Sequence, residues 1–163
     1  QGGSIRVMAQ KIGGDIKRDN SVDDLIALEY KLGLDRVDTL SRFNARINTI
    51  RDRLQKLIYS LKKEGKTIAG FGAPTKATTL MAHFGLDETM LDFIVDDNPL
   101  KQGLFTPITH IPVLSAEALY NRKPDYLLIL AWNFSKPIMK MHEKYSNEIG
   151  KFIIPMPEPK VLS

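Results

Sequence analysis

The chain has 163 residues, 26% of them charged and 43% apolar, with 11 Gly, 9 Pro and no Cys. That length supports one globular domain with a buried core, alone or with a helical extension, and the missing cysteines exclude a disulfide scaffold, a thiolate zinc site, an iron–sulfur cluster and a thiol nucleophile. The net charge is +4 and unevenly spread: Gln1 to Gly65 holds 13 Lys and Arg against 9 Asp and Glu, and the remainder 10 against 10.

Along Gly2–Gln10, Ile5, Val7 and Ala9 alternate with Ser4, Arg6 and Met8, which predicts a short strand ended by Gly13 and Gly14. Ser21 suits an N-cap for a helix through Val22, Leu25, Ile26, Leu28 and Leu32, with Asp23 and Asp24 at its positive end and Gly33 as its stop. From Arg36 to Lys63, Val37, Leu40, Phe43, Ile47, Ile50, Leu54, Leu57 or Ile58, and Leu61 recur at threes and fours and lay one apolar stripe along a single helix. At ~1.5 Å per residue it spans about 40 Å, too long to pack on a small sheet domain alone. Its eight basic residues, among them Arg36, Arg42, Arg46 and Arg51, against Asp38 and Asp52 fit either a solvated face or a contact with phosphates or an acidic partner.

From Lys66 strands alternate with helices: strand Thr67–Gly72, helix Pro74–Phe84, strands Leu91–Asp97 and Ile111–Leu114, helix Ser115–Asn121, strand Asp125–Trp132, helix Ser135–Ile149 and strand Lys151–Pro155. The nearly unbroken apolar runs TIAGF, DFIVD and YLLILAW predict strands covered on both faces. The fold expected is α/β: a doubly wound, mostly parallel five-stranded sheet in the order 3-2-1-4-5, with a long N-terminal helical extension. The division expected is 1–64 extension, 65–157 sheet domain and 158–163 tail. No apolar run approaches the ~18 residues of a membrane span, and QGGSIRVMAQ lacks the order of a signal peptide. A soluble, cytoplasmic protein in a reducing compartment is therefore expected. A start without Met, inside an apparent strand, reads as a piece of a longer polypeptide.

Three segments carry candidate chemistry. In Thr67-Ile-Ala-Gly-Phe-Gly-Ala-Pro-Thr-Lys-Ala-Thr-Thr79 a buried strand turns into a helix through Gly70, Gly72 and Ala73, with Pro74 in the first turn. The unpaired N–H groups of Thr75, Lys76 and Ala77, backed by the helix dipole and the Lys76 charge, suit a phosphate; a tight turn that binds nothing is the alternative. A dinucleotide fingerprint or a P-loop wants Gly at position 75, where Thr stands, and Ala77 breaks the P-loop pattern again. Asp96 or Asp97 ends the second strand where a ribose-binding acid belongs, which keeps a dinucleotide-binding module of an oxidoreductase open. The loop holding Asp97, Asn98, Lys101 and Gln102, and the segment Trp132-Asn133-Phe134, leave their strands at the same carboxyl edge. They offer hydrogen bonds and a flat wall to a phosphate, a base or a sugar, or serve only as turn and core cap. Of His83, His110 and His142, His110 alone lies near that rim. No metal-binding His pair, Gly-x-Ser-x-Gly elbow or carboxylate pair is evident.

The blocks GGSIRV, GFGAPTKATTL, DFIVDDNPLKQGLFTPITHIPV and PDYLLILAWNF together resemble the C-terminal domain of S-adenosylmethionine-dependent sugar C-methyltransferases, from Gly2 to about Pro157. The resemblance implies a Rossmann-like domain following a zinc-binding N-terminal segment and a central S-adenosylmethionine domain, with a nucleotide-diphosphate sugar in the cleft between the last two. The candidate substrate-binding residues read from the carboxyl edge are then Gly72, Ala73, Thr75, Lys76, Asp97, Asn98, Lys101, His110, Trp132 and Asn133. No catalytic base, methyl-donor site or zinc ligand of the family has a counterpart in this chain, and Gln1 stands where the family often has His before Gly-Gly-Ser. The chain alone is expected to be inactive, with the preceding methyltransferase domain as its partner and no role for nucleic acid or membrane. The long striped helix also suits a second copy in a homodimer, or a partner of a non-catalytic interaction domain.

Overall fold

The computed structural model describes residues 4–163. The chain forms two compact units, Gln1–Ile47 and Asn48–Ser163. The division falls inside the long helix rather than at its end.

In the first unit, residues 4–19 form no strand or helix. The alternation there does not become a strand because no neighbouring strand supplies backbone partners, and Ile5, Val7 and Met8 stay exposed; Gly2 and Gly3 lie outside the described residues. Helix α1 (Ser21–Leu32) starts one residue earlier than a Ser21 cap predicts. Asn20 is the N-cap, without a side-chain bond, and Asp19 accepts from both the N–H and the hydroxyl of Ser21. Gly33 ends α1 in the left-handed conformation, φ 67°, where a side chain would be strained. None of the apolar residues of α1 is buried within this unit.

Helix α2 (Val37–Lys63) follows the predicted stripe, but burial is confined to its second half: Ile50, Leu54, Ile58 and Leu61 are covered, whereas Val37, Leu40 and Phe43 are exposed. In the second unit come β1 (Ile68–Phe71), α3 (Thr75–Phe84), β2 (Phe93–Val95), β3 (Val113–Leu114), α4 (Glu117–Arg122) and β4 (Tyr126–Ile129). A 3₁₀ turn (Trp132–Phe134), α5 (Ser135–Met141), α6 (Glu143–Glu148), β5 (Lys151–Ile154) and β6 (Lys160–Leu162) complete it. The sheet order is β3-β2-β1-β4-β5-β6. The first five strands are parallel in the predicted order, and β6 adds antiparallel to β5. The sheet thus has six strands rather than five, and part of the expected tail is its edge. Three residues beside a Pro-rich turn carry too little periodicity to announce a strand.

Side chains alternate across the sheet. Ala69, Phe71, Phe93, Val95, Leu127, Ile129 and Phe152 form one core with Leu119 of α4, Ile138 of α5 and Tyr145 of α6. Ile68, Gly70, Ile94 and Leu128 face the other way, the side on which right-handed crossovers place α3. Gly70 keeps that side closely packed, since a Cβ there would lie 2.9 Å from Ile94 and 3.0 Å from Leu130. The single helix predicted over 135–149 is broken at His142 (φ −108°, ψ 32°), whose buried ring rests against Phe71 at 4.9 Å and shares a hydrogen bond of 3.0 Å with the Tyr120 hydroxyl. No helix among the described residues is long and apolar enough to cross a membrane.

Candidate functional site

The order reversal of the sheet lies between β1 and β4, and open sheets of this kind bind ligands outside the carboxyl ends of the strands. There the chain leaves β1 through Gly72, at φ +87°, where a Cβ would also stand 3.0 Å from that of Ala131. Both the backbone conformation and the close approach of the turn after β4 require glycine. Gly72 N–H donates to Val95 O at 2.7 Å, and Ala73 N–H to the Asp96 carboxylate at 2.7 Å.

Asp96 is the pin of this edge. It is 8% exposed and accepts from Ala73 N–H, from Asn98 N–H at 2.9 Å and from Lys101 Nζ at 3.1 Å. Burial by itself pushes its pKa up, but the two backbone N–H groups and the Lys101 ammonium outweigh it and hold the carboxyl below its ordinary value. Gln102 donates to the Asp96 carbonyl at 2.9 Å, and Asn98 turns its Oδ1 to Leu100 N–H. Asp96 therefore ties the β1 turn to the β2 loop. Its carboxylate is engaged by the chain itself and is not free to bind a ribose diol.

Helix α3 begins with Pro74 as N-cap rather than as its first helical residue. Ala77 N–H, expected to be free, donates to Pro74 O at 2.8 Å. The N–H groups of Thr75 and Lys76 have no acceptor among the described residues and stand at the positive end of the helix. Beside them a cleft of ≈ 270 Å³ is walled by Ala73, Pro74, Thr75, Thr78 and Met81 on one side and by Lys101, Leu104, Phe105, Thr106 and Pro107 on the other. On the opposite side of the α3 start, Lys76 Nζ is fully covered without a hydrogen-bond acceptor. It lies 5.0 Å from the ring centre of Trp132 and 5.4 Å from that of Phe134.

The structure thus gathers Gly72, Ala73, Thr75, Lys101 and Asn98 around one turn and sets Lys76 against Trp132, with Asn133 exposed next to it. Asp97 is exposed at the same rim. His110, at φ 49°, bonds within its own loop to Ile108 O and does not line the cleft. Sequence reasoning passed over Leu104, Phe105 and Pro107. The sequence signal, an aromatic in a turn-rich segment where no core position is due, was present. His142, set apart from the rim by the sequence reading, is pushed by burial below the ordinary imidazole value against the opposing charge of Asp97.

The residues present do not fit the zinc that the resemblance implies. The chain has no cysteine, and no group of three or more His, Asp or Glu among the described residues could hold zinc. Asp96 is consumed by Ala73 and Lys101, and Asp97 is the acid left exposed at this rim.

Comparison with known proteins places these features in context. A family model described as the C-methyltransferase C-terminal domain matches residues 1–157. The chain is 36% identical over 162 residues to the C-methyltransferase NovU of Streptomyces niveus, an alignment that covers 99% of this chain and 39% of the relative.

Proposed function

The chain belongs to the family of C-methyltransferase C-terminal domains, and from that membership we propose that it positions the acceptor for a methyl transfer to carbon, the acceptor being a nucleotide-diphosphate 4-keto deoxysugar. The observation that carries the reading is the start of α3. Two unpaired backbone N–H groups, of Thr75 and Lys76, lie at the positive end of a 10-residue helix whose first turn borders a cleft at the carboxyl edge of a mostly parallel sheet, as in a Rossmann-like diphosphate site.

Removing a proton from the carbon beside a ketone leaves charge on the ketone oxygen, and the resulting carbon nucleophile must meet the methyl donor in line. S-adenosylmethionine, held by a preceding domain of the same polypeptide, supplies the methyl group in this reading. What this chain contributes is orientation and exclusion of water. The Thr75 and Lys76 amides grip the diphosphate, Asp96 keeps the Gly72 turn in place, and Trp132 with Phe134 shields the sugar side. The dinucleotide reading loses one of its two candidate acids, since Asp96 is spent on Ala73 and Lys101 and only Asp97 stays exposed.

The test is a chemical-shift titration of the labelled chain with a thymidine-diphosphate sugar. Amide signals of Gly72 to Lys76 and of Lys101 shift in a saturable way if the reading holds. Saturable shifts confined to other parts of the chain, or none at millimolar ligand, would refute it.

A further inference from the structure

The first unit carries the signals of defined helices but buries nothing of its own. Asp23 and Asp24 stand in the first turn of α1, and Gly33 closes it in the left-handed conformation with its N–H on the Tyr30 carbonyl at 3.0 Å. Yet among the described residues up to Ile47 no apolar side chain is buried. Leu25, Leu28 and Leu32 of α1 are 37%, 47% and 55% exposed, and Leu40 and Phe43 of α2 are 56% and 55% exposed. Ordering a residue costs ~1–2 kcal/mol of backbone entropy. A 12-residue helix with no covered face is therefore marginal in water.

The bare positions of α2 are not scattered. Leu40, Phe43 and Ile47 continue, at steps of three and four, the stripe that Ile50, Leu54, Ile58 and Leu61 bury. Asp38 and Arg42, which pair at 2.9 Å, and Lys56 lie on the far side of the cylinder. The helix thus has one apolar side, covered along its second half and bare along its first. An apolar face of this extent, continuous with a packed one and joined by a second helix whose leucines are also bare, marks an interaction surface.

We propose that α1 and the first half of α2 are the face on which this domain docks to the polypeptide that precedes it in the parent C-methyltransferase. The matching family is a C-terminal domain, and the alignment covers only 39% of the Streptomyces niveus relative, so the greater part of that chain lies outside the match. A polypeptide that precedes a C-terminal domain joins it ahead of α1, and α1 and the start of α2 are the first helices it meets. A tethered neighbour acts at an effective concentration of ~mM, well above that of a second free copy of the chain. The partner surface is apolar and takes Leu25, Leu28, Leu32, Leu40 and Phe43. The proposal rests on the reading that a domain precedes this one, and it is independent of the diphosphate site.

Amide hydrogen exchange read by mass spectrometry, on the 163-residue chain and on the whole parent polypeptide, tests it. In the chain alone, peptides from 21–32 and 37–45 exchange freely. In the parent they exchange at least ~10-fold more slowly at every protein concentration, while β1 peptides exchange alike in both. Leu40→Glu combined with Phe43→Glu leaves the melting temperature of the 163-residue chain unchanged, because both side chains are exposed in it. In the parent the same pair restores free exchange over 21–32 and 37–45. Equal exchange in chain and parent overturns the proposal, as does a parent whose protection survives the double substitution. Protection of the chain alone that rises with its concentration, together with a dimer in sedimentation, overturns it in favour of a second copy. A gene that encodes nothing ahead of this domain overturns both the proposal and the reading of a preceding domain, whereas the other contrary results leave that reading standing.

Discussion

Replacing Asp96 by Ala removes the shared acceptor of Ala73 N–H, Asn98 N–H and Lys101 Nζ, at 2.7, 2.9 and 3.1 Å. The three losses are unequal. Lys101 is partly exposed and turns to water, so its ion pair contributes at most ~1 kcal/mol. Asn98 lies on an exposed stretch, and water replaces much of its bond. Ala73 N–H, folded under the turn, keeps the penalty of an unsatisfied donor, ~1–3 kcal/mol. The sum is about 2–4 kcal/mol, which in a chain of this size lowers Tm by about 4–15 °C. Asp96→Asn, retaining one acceptor oxygen, falls between.

The effect of Asp96 depends on pH. Its pKa is lowered in the fold, so its contribution is present above the unfolded value of about 3.9 and is lost as pH falls through the folded value. Urea unfolding of wild type and variant should therefore show the widest gap at neutral pH and a closing gap in acid. An Asp96→Ala chain within about 0.5 kcal/mol of wild type at neutral pH, the range of an ordinary surface change, would refute the claim that this carboxylate pins the edge.

Gly72→Ala should destabilise by at least ~1–2 kcal/mol, because it places a Cβ at φ +87° and 3.0 Å from that of Ala131; a thermal melt unchanged from wild type would contradict that geometry. His142 is buried with a lowered pKa, so its neutral form stabilises the fold above the unfolded value of about 6.5 and that contribution fades as pH falls. Urea midpoints should drop from pH ~7.5 to ~5.5 in wild type and less steeply in His142→Gln, and equal slopes would count against it. Leu54→Ala should cost ~2–5 kcal/mol and Leu40→Ala under ~0.5, since only the former is buried, and similar denaturation midpoints would mean α2 is packed along its whole length.

The parallel strands were legible because burial on both faces leaves continuous apolar runs, as in TIAGF and YLLILAW, that helices and loops do not imitate. Errors cluster where a tertiary partner decides. Ile5 and Val7 alternate like a strand but have no strand to pair with, and Val161 and Leu162 form one only because β5 offers its edge. At the break, His142 meets Phe71 and Tyr120, both distant in sequence. At the candidate site the glycine turn and the helix start were readable from local chemistry. The occupation of Asp96 was not, nor was the orientation of Lys76 onto Trp132, for both depend on how separate loops meet at one edge.

The account depends most on the two amides that open α3. Thr75 is the first helical residue, a position where proline fits without loss of helix, and Pro74 before it is already extended at ψ 160°. Thr75→Pro therefore deletes one backbone donor, with Thr75→Val as the control for the hydroxyl lost along with it. Calorimetry with a thymidine-diphosphate sugar should give an unchanged melting temperature and ~10–100-fold weaker binding, the loss of one hydrogen bond to a charged group. Wild-type affinity in this variant would contradict the assignment of the helix start as the diphosphate site.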